Sequence, residues 1–134
     1  MNWPGFRPLN CWKAIARNGS RRATLIEDVI SALEMTHASC NVVVTPAYEQ
    51  ARAAADRATL AWSSGQPQGK LTGVPVSIKD LVYVAGLPAL GGAPANRDLV
   101  PSVDAAAVSA LKSAGAIVTC TDHHLRVRLQ IDRR

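Results

Sequence analysis

Aromatic side chains are scarce in this chain of 134 residues: one phenylalanine, two tyrosines and three tryptophans, 4% of the total. Proteins that read single-stranded nucleic acid stack bases on aromatic rings, and six scattered rings make no such platform. Cysteine is scarcer. Cys11, Cys40 and Cys120 are odd in number and lack CxxC spacing, which excludes a disulfide framework and suits small buried hydrophobes in a reducing compartment. No run reaches the ~20 apolar residues of a membrane span. The start, Met1-Asn2-Trp3-Pro4-Gly5-Phe6, places proline and glycine where a secretory leader has a basic patch and an apolar core. A soluble, cytoplasmic protein without a membrane partner is expected.

What is present is material for one core. Hydrophobic residues make up 48% and charged residues 19%, so the chain is no disordered tail. The net charge of +5 is unevenly spread. The last ten residues hold Arg126, Arg128, Arg133 and Arg134 against Asp132, which is +3 and leaves +2 for the body. Charge without a base-reading element gives affinity and no choice of site, so no specific nucleic-acid partner is expected.

Residues 1–23 form an N-terminal segment with prolines at 4 and 8 and a short helix over 9–17, ended by Asn18-Gly19. Thr24 and Glu27 have the spacing of a capping box, and Leu25, Ile26, Val29, Ile30 and Leu33 recur on one helical face that ends near Thr36. Asn41 to Val44 reads as a brief strand, and Thr45-Pro46 as the cap and first residue of an alanine-rich helix reaching Trp62. Ser63-Ser64-Gly65 stops that helix. The loop Gly86 to Pro94 is glycine-rich but lacks the Gly-Lys-Ser/Thr ending of a phosphate cradle. Ser102 caps a helix over 103–113, with Asp104 in its first turn and Ala105, Ala106, Val108, Ala110 and Leu111 as its apolar face. Gly115 ends it before a strand over 116–120. Strand, helix and strand in that order predict a parallel pair, hence an α/β fold.

The stretch that organises the rest is Gly73-Val74-Pro75-Val76-Ser77-Ile78-Lys79-Asp80. Branched apolar residues lead into a Lys-Asp pair, the pattern of a short buried strand ending in a charge. Such a lysine loses water, so it must be paired, give up its proton or point into a cleft. Strand ends facing a cleft are where sheet enzymes keep working groups. An ordinary Lys-Asp at a strand end snorkels or pairs at the surface, and on these residues alone both readings stand.

That block, followed by Leu81-Val82, Ala85-Gly86-Leu87-Pro88, Gly91-Gly92, Asp104-Ala105-Ala106-Ala107-Val108 and Ala114-Gly115-Ala116-Ile117-Val118, resembles the amidase signature family. The match is ordered and ungapped over 69–118, with a looser likeness back to Thr24. The resemblance implies an α/β/α sandwich with a mixed sheet whose faces are covered by helices, of which this would be the N-terminal part. It implies hydrolysis or transfer of carboxylic amides, of which transamidation of charged tRNA by an A subunit is one subtype, through a Ser, cis-Ser, Lys triad without metal or cofactor. Lys79 would be the catalytic lysine, acting uncharged, and Asp80 a structural partner. Where the family's matching loop carries hydroxyls, this chain has Ala89, Leu90 and Ala93. Both serines of the triad belong to a Gly/Ser-rich segment that follows the lysine, which rules out Ser63 and Ser64.

Residues 24–120 would thus be a partial amidase-like domain and 121–134 a divergent basic tail. Thr121-Asp122 echoes the family's Thr-Asn. Cys120, Asp122, His123 and His124 form no metal site, because adjacent histidines on an extended chain point to opposite faces. Leu125 to Arg134 alternates apolar and polar residues like an edge strand, or is translation out of frame; the second is favoured because the resemblance stops and never resumes. Two functions remain: a fragment of an amidase-like hydrolase, inactive alone on a small-molecule amide, or a non-catalytic remnant or interaction module. Open sheet edges would promote self-association in either case.

Overall fold

The structure, a computed structural model, describes residues 21–96 and 98–123. The readings made for residues 1–20 and 124–134, including Cys11, His124 and the arginine tail, lie outside them.

The apolar face expected on the first helix forms. In α1 (Arg21–Cys40) Ile26 and Ile30 are almost wholly buried, while Asp28 and Glu34 face outward. The helix starts before Thr24, so this position lies inside it, and Glu27 reaches sideways to Arg52 Nε and Nη2 at 2.7 and 3.0 Å instead of back to a cap. It also runs one turn past Thr36, whose Oγ1 donates to the Ala32 carbonyl at 2.8 Å. Cys40 is therefore on the surface, against the expectation of a buried thiol. Asn41, with φ +50°, ends the helix by donating its N–H to the His37 carbonyl.

Strand β1 (Val43–Pro46) takes in Thr45 and Pro46, which had been read as a helix start. Long-range pairing outweighs the local cap signal: Thr45 and Pro46 align with Thr121 and Cys120, and the Ala47 N–H donates to the Thr119 carbonyl at 2.9 Å. Proline is tolerated there because β1 is an edge strand. Helix α2 (Tyr48–Ser63) consequently begins without a side-chain cap. It buries Ala51, Ala55 and Ala58, and these small residues bring it close to Ile26, Ile30 and Ile117. Its end is as the sequence implies, with Gly65 at φ +71° just beyond Ser64.

Strands β2 (Pro75–Lys79) and β3 (Ile117–Asp122) pair in parallel, and β1 pairs antiparallel on the other side of β3, giving among the described residues a mixed sheet in the order β1-β3-β2. Between β2 and β3 runs α3 (Ala106–Ser113), three residues shorter at its start than its sequence signals. Asp104 is not a first-turn residue, because its carboxylate accepts the Ala85 N–H and the Lys112 ammonium, each at 2.8 Å. Val108 of α3, almost fully buried, packs with Ile78, Val84 and Leu87, whereas Ala106 and Ala110 are exposed. Ile117 joins the core under α1 and α2, and its neighbour Val118 packs on the core under α3. The sheet thus lies between two layers of helix, as strand alternation requires.

Register slips once within the parallel pair. Val76 aligns with Val118, but Ser77 aligns with Cys120, leaving Thr119 as a bulge whose Oγ1 donates to the Val76 carbonyl at 3.1 Å. Beyond the slip Lys79 aligns with Asp122.

Candidate functional site

The Lys79-Asp80 pair divides at the end of β2. Val76 and Ile78 face the α3 core, so Ser77 and Lys79 share the opposite face, and both are exposed. Among the described residues the Lys79 ammonium has no hydrogen bond or ion pair. Asp80 is the reverse. It is 3% exposed, its N–H donates to the Asp122 carbonyl at 3.1 Å, and its Oδ1 accepts the Leu90 N–H at 3.2 Å. The aspartate ties the following loop to the sheet while the lysine is left clear of it.

Two neighbours of Lys79 were not singled out as site residues. Asp122 is its cross-strand partner, and the Ser77 hydroxyl donates to Asp122 Oδ2 at 2.6 Å, a short charge-assisted bond. Strand alternation alone pairs Ser77 with Lys79 on one face; the bulge at Thr119 hides from the sequence that Asp122 joins them. Next along the chain, the His123 ring lies with Nε2 3.4 Å from Asn41 Nδ2, and His37 Nδ1 accepts the Val43 N–H at 3.2 Å. Glu34, His37, Asn41, Tyr48, Leu90 and His123 line part of a cavity of about 520 Å³ at this end of the sheet. Among the described residues no three His, Cys, Asp or Glu side chains converge as metal ligands.

Two other chemistries fail on geometry. Cys120 is fully buried, and burial pushes its thiol up, with a Thr119 hydrogen bond opposing the effect and the Asp122 charge adding to it, so this thiol is poorly suited to act as a thiolate nucleophile. The loop after β2 is no anion cradle either. Its Gly86, Leu87 and Ala89 N–H groups are spent on the carbonyls of Pro101, Val84 and Leu99, and Leu87 and Ala89 are buried. A second cavity, about 540 Å³, lies by the start of β3 between Ala54, Ala58, Leu87, Lys112 and Ile117; Lys79 does not line it.

Comparison with known proteins gives one family. The family model described as Amidase matches residues 24–122. The A subunit of glutamyl-tRNA(Gln) amidotransferase from Anaeromyxobacter dehalogenans is 29% identical over 104 residues, covering 78% of this chain and 21% of that protein. Indoleacetamide hydrolase from Bradyrhizobium diazoefficiens is 34% identical over 117 residues, 83% of this chain and 22% of that one. Among solved structures, a bacterial aryl acylamidase of the amidase signature enzymes superposes with a TM-score of 0.71 at 24% identity, over 81% of this chain and 24% of the other. The chain therefore spans about a fifth to a quarter of the length of these relatives.

Proposed function

The chain belongs to the amidase family, and from that membership we propose that Lys79 is the general base of a hydrolase acting on the C–N bond of carboxylic amides. The observation that carries the reading is the division at the end of β2: a buried, doubly bonded Asp80 beside an exposed lysine that has no partner among the described residues. A base must be free to take a proton, and a lysine committed to a carboxylate is not. In this reading the neutral Lys79 amine accepts a proton from a serine that relays it from the nucleophilic serine. The Gly/Ser-rich segment expected to carry both hydroxyls has no counterpart in these 134 residues, so the chain by itself is proposed to be inactive. Asp80 holds the strand end and its loop in place, and takes no part in proton transfer.

The test is a chimera. Residues 24–122 replace the corresponding segment of the indoleacetamide hydrolase, and amide hydrolysis is followed by ammonia release with and without Lys79→Ala. The alanine chimera is expected to lose about a thousandfold in turnover, the scale of a missing general base. Equal activity in the two chimeras ends the assignment.

A non-catalytic interaction module is the second reading, favoured by the exposed Leu81, Tyr83, Val100 and Val103 and by β2, an edge of the sheet. It predicts concentration-dependent self-association of the 134-residue chain in light scattering, and a monodisperse monomer at high concentration counts against it.

A further inference from the structure

Lys79 and Asp122 are opposite charges, direct cross-strand partners, and on one face of the sheet, an arrangement in which an ion pair is the ordinary outcome. None forms. The carboxylate is instead bonded to Ser77 Oγ at 2.6 Å, two residues before the lysine on the same strand face. Other charged or titratable groups near the end of β2 are engaged elsewhere: Asp80 holds the Leu90 N–H, and the His123 ring lies against Asn41. Asp122 is thus the carboxylate best placed to capture Lys79, and one hydroxyl occupies it.

We propose that Ser77 is a positioning residue that keeps Lys79 unpaired by holding the Asp122 carboxylate away from the ammonium. The inference rests on the reading of Lys79 as a base for its purpose, since a paired carboxylate favours the ammonium, and only the neutral amine can accept a proton. It rests on the register and the 2.6 Å bond for its physics. It also gives a role to the charge at position 122. Where the amidase signature resemblance implies a neutral asparagine, Asp122 places a charge, and a hydroxyl on the neighbouring strand engages it.

The experiment reads the amine directly. The 134-residue chain is labelled with trace acetic anhydride at fixed pH, and acetylation at Lys79 is measured by mass spectrometry relative to exposed Lys70. In Ser77→Ala the freed carboxylate swings to the lysine, and the Lys79 to Lys70 ratio is expected to fall about threefold, the reach of a half-exposed ion pair. Ser77→Thr, which keeps a hydroxyl donor, leaves the ratio near wild type. Ser77→Ala combined with Asp122→Asn restores it, which a merely structural role for Ser77 would not produce. An unchanged ratio in Ser77→Ala overturns the proposal, and so does a double variant that stays low. Labelling needs no turnover, so an active Lys79→Ala chimera would remove the base reading and leave this result standing.

Discussion

Two lysines near the sheet are held in opposite ways. Lys112, on α3, places its ammonium 2.8 and 2.9 Å from the two oxygens of Asp104, which also accepts the Ala85 N–H, so one carboxylate fastens the helix to the loop after β2. Lys79, at the end of β2, touches no acceptor among the described residues. The surroundings differ in the same sense. By the start of β3 the backbone is packed to its limit: a Cβ on Gly115 would lie 2.5 Å from Thr72 Oγ1 and 2.7 Å from Thr72 Cα, and one on Gly69 would lie 2.6 Å from the Ala114 carbonyl oxygen. At the far end of β3 the same strands present Ser77, Lys79 and His123 to solvent. One end closes the domain and the other leaves reactive groups within reach.

Substitutions at the two ends should separate in size. The largest effect is expected for Gly115→Ala, where a Cβ meets backbone atoms at a φ of +92°; a loss of about 3 kcal/mol in urea unfolding is predicted, from overpacking added to left-handed strain. Gly65→Ala, at φ +71° but with open space around it, should lose only about 1 kcal/mol, and equal losses at the two glycines would break the contrast. Next is Asp104→Ala, which strips the Ala85 N–H and the Lys112 ammonium of their acceptor and should cost about 2 kcal/mol.

The same carboxyl predicts a pH dependence. Its hydrogen bonds with Lys112 hold it below the usual carboxylate range, helped by the Ala85 N–H and opposed by burial. A carboxyl depressed on folding adds stability that is complete above its unfolded value of about 4 and fades as pH falls through the folded one. Wild-type stability should therefore drop below about pH 4 more than that of Asp104→Asn. A parallel decline of the two proteins would sink this account. Lys112→Ala should cost about 1 kcal/mol, held down by the lysine's own exposure. Lys79→Ala should be smallest, within about 0.5 kcal/mol of wild type. If it destabilised as much as Lys112→Ala, Lys79 would be a structural residue.

The sequence was legible where a local pattern and the final packing agree. The apolar stripe of α1, the glycine stop of α2 and the parallel β2–β3 pair with a helix between them follow from spacing alone, and so does the strand that presents Lys79. It misled where partners distant in the chain took the local signal. Thr45 and Pro46 have good cap chemistry, but the ladder to β3 claims them. Asp104 suits a helix N-terminus, but Lys112 and Ala85 hold its carboxylate. Asp122 was weighed as a metal ligand, set aside and read as an echo of asparagine, because no spacing rule tells which face a strand shows after a bulge.

That bulge sets the phase of everything after it. Strictly alternating from Ile117, β3 would carry Asp122 on the side of α3, across the sheet from Lys79; the single unmatched residue at Thr119 turns the remainder over, so that Asp122 meets Ser77 and the lysine. The first residues of the strand seal two cores and its last one meets Ser77 and Lys79, with one residue of slack as the divide. Removing that residue would leave composition and hydropathy almost untouched and yet exchange one face of the sheet for the other along the last three positions of the strand.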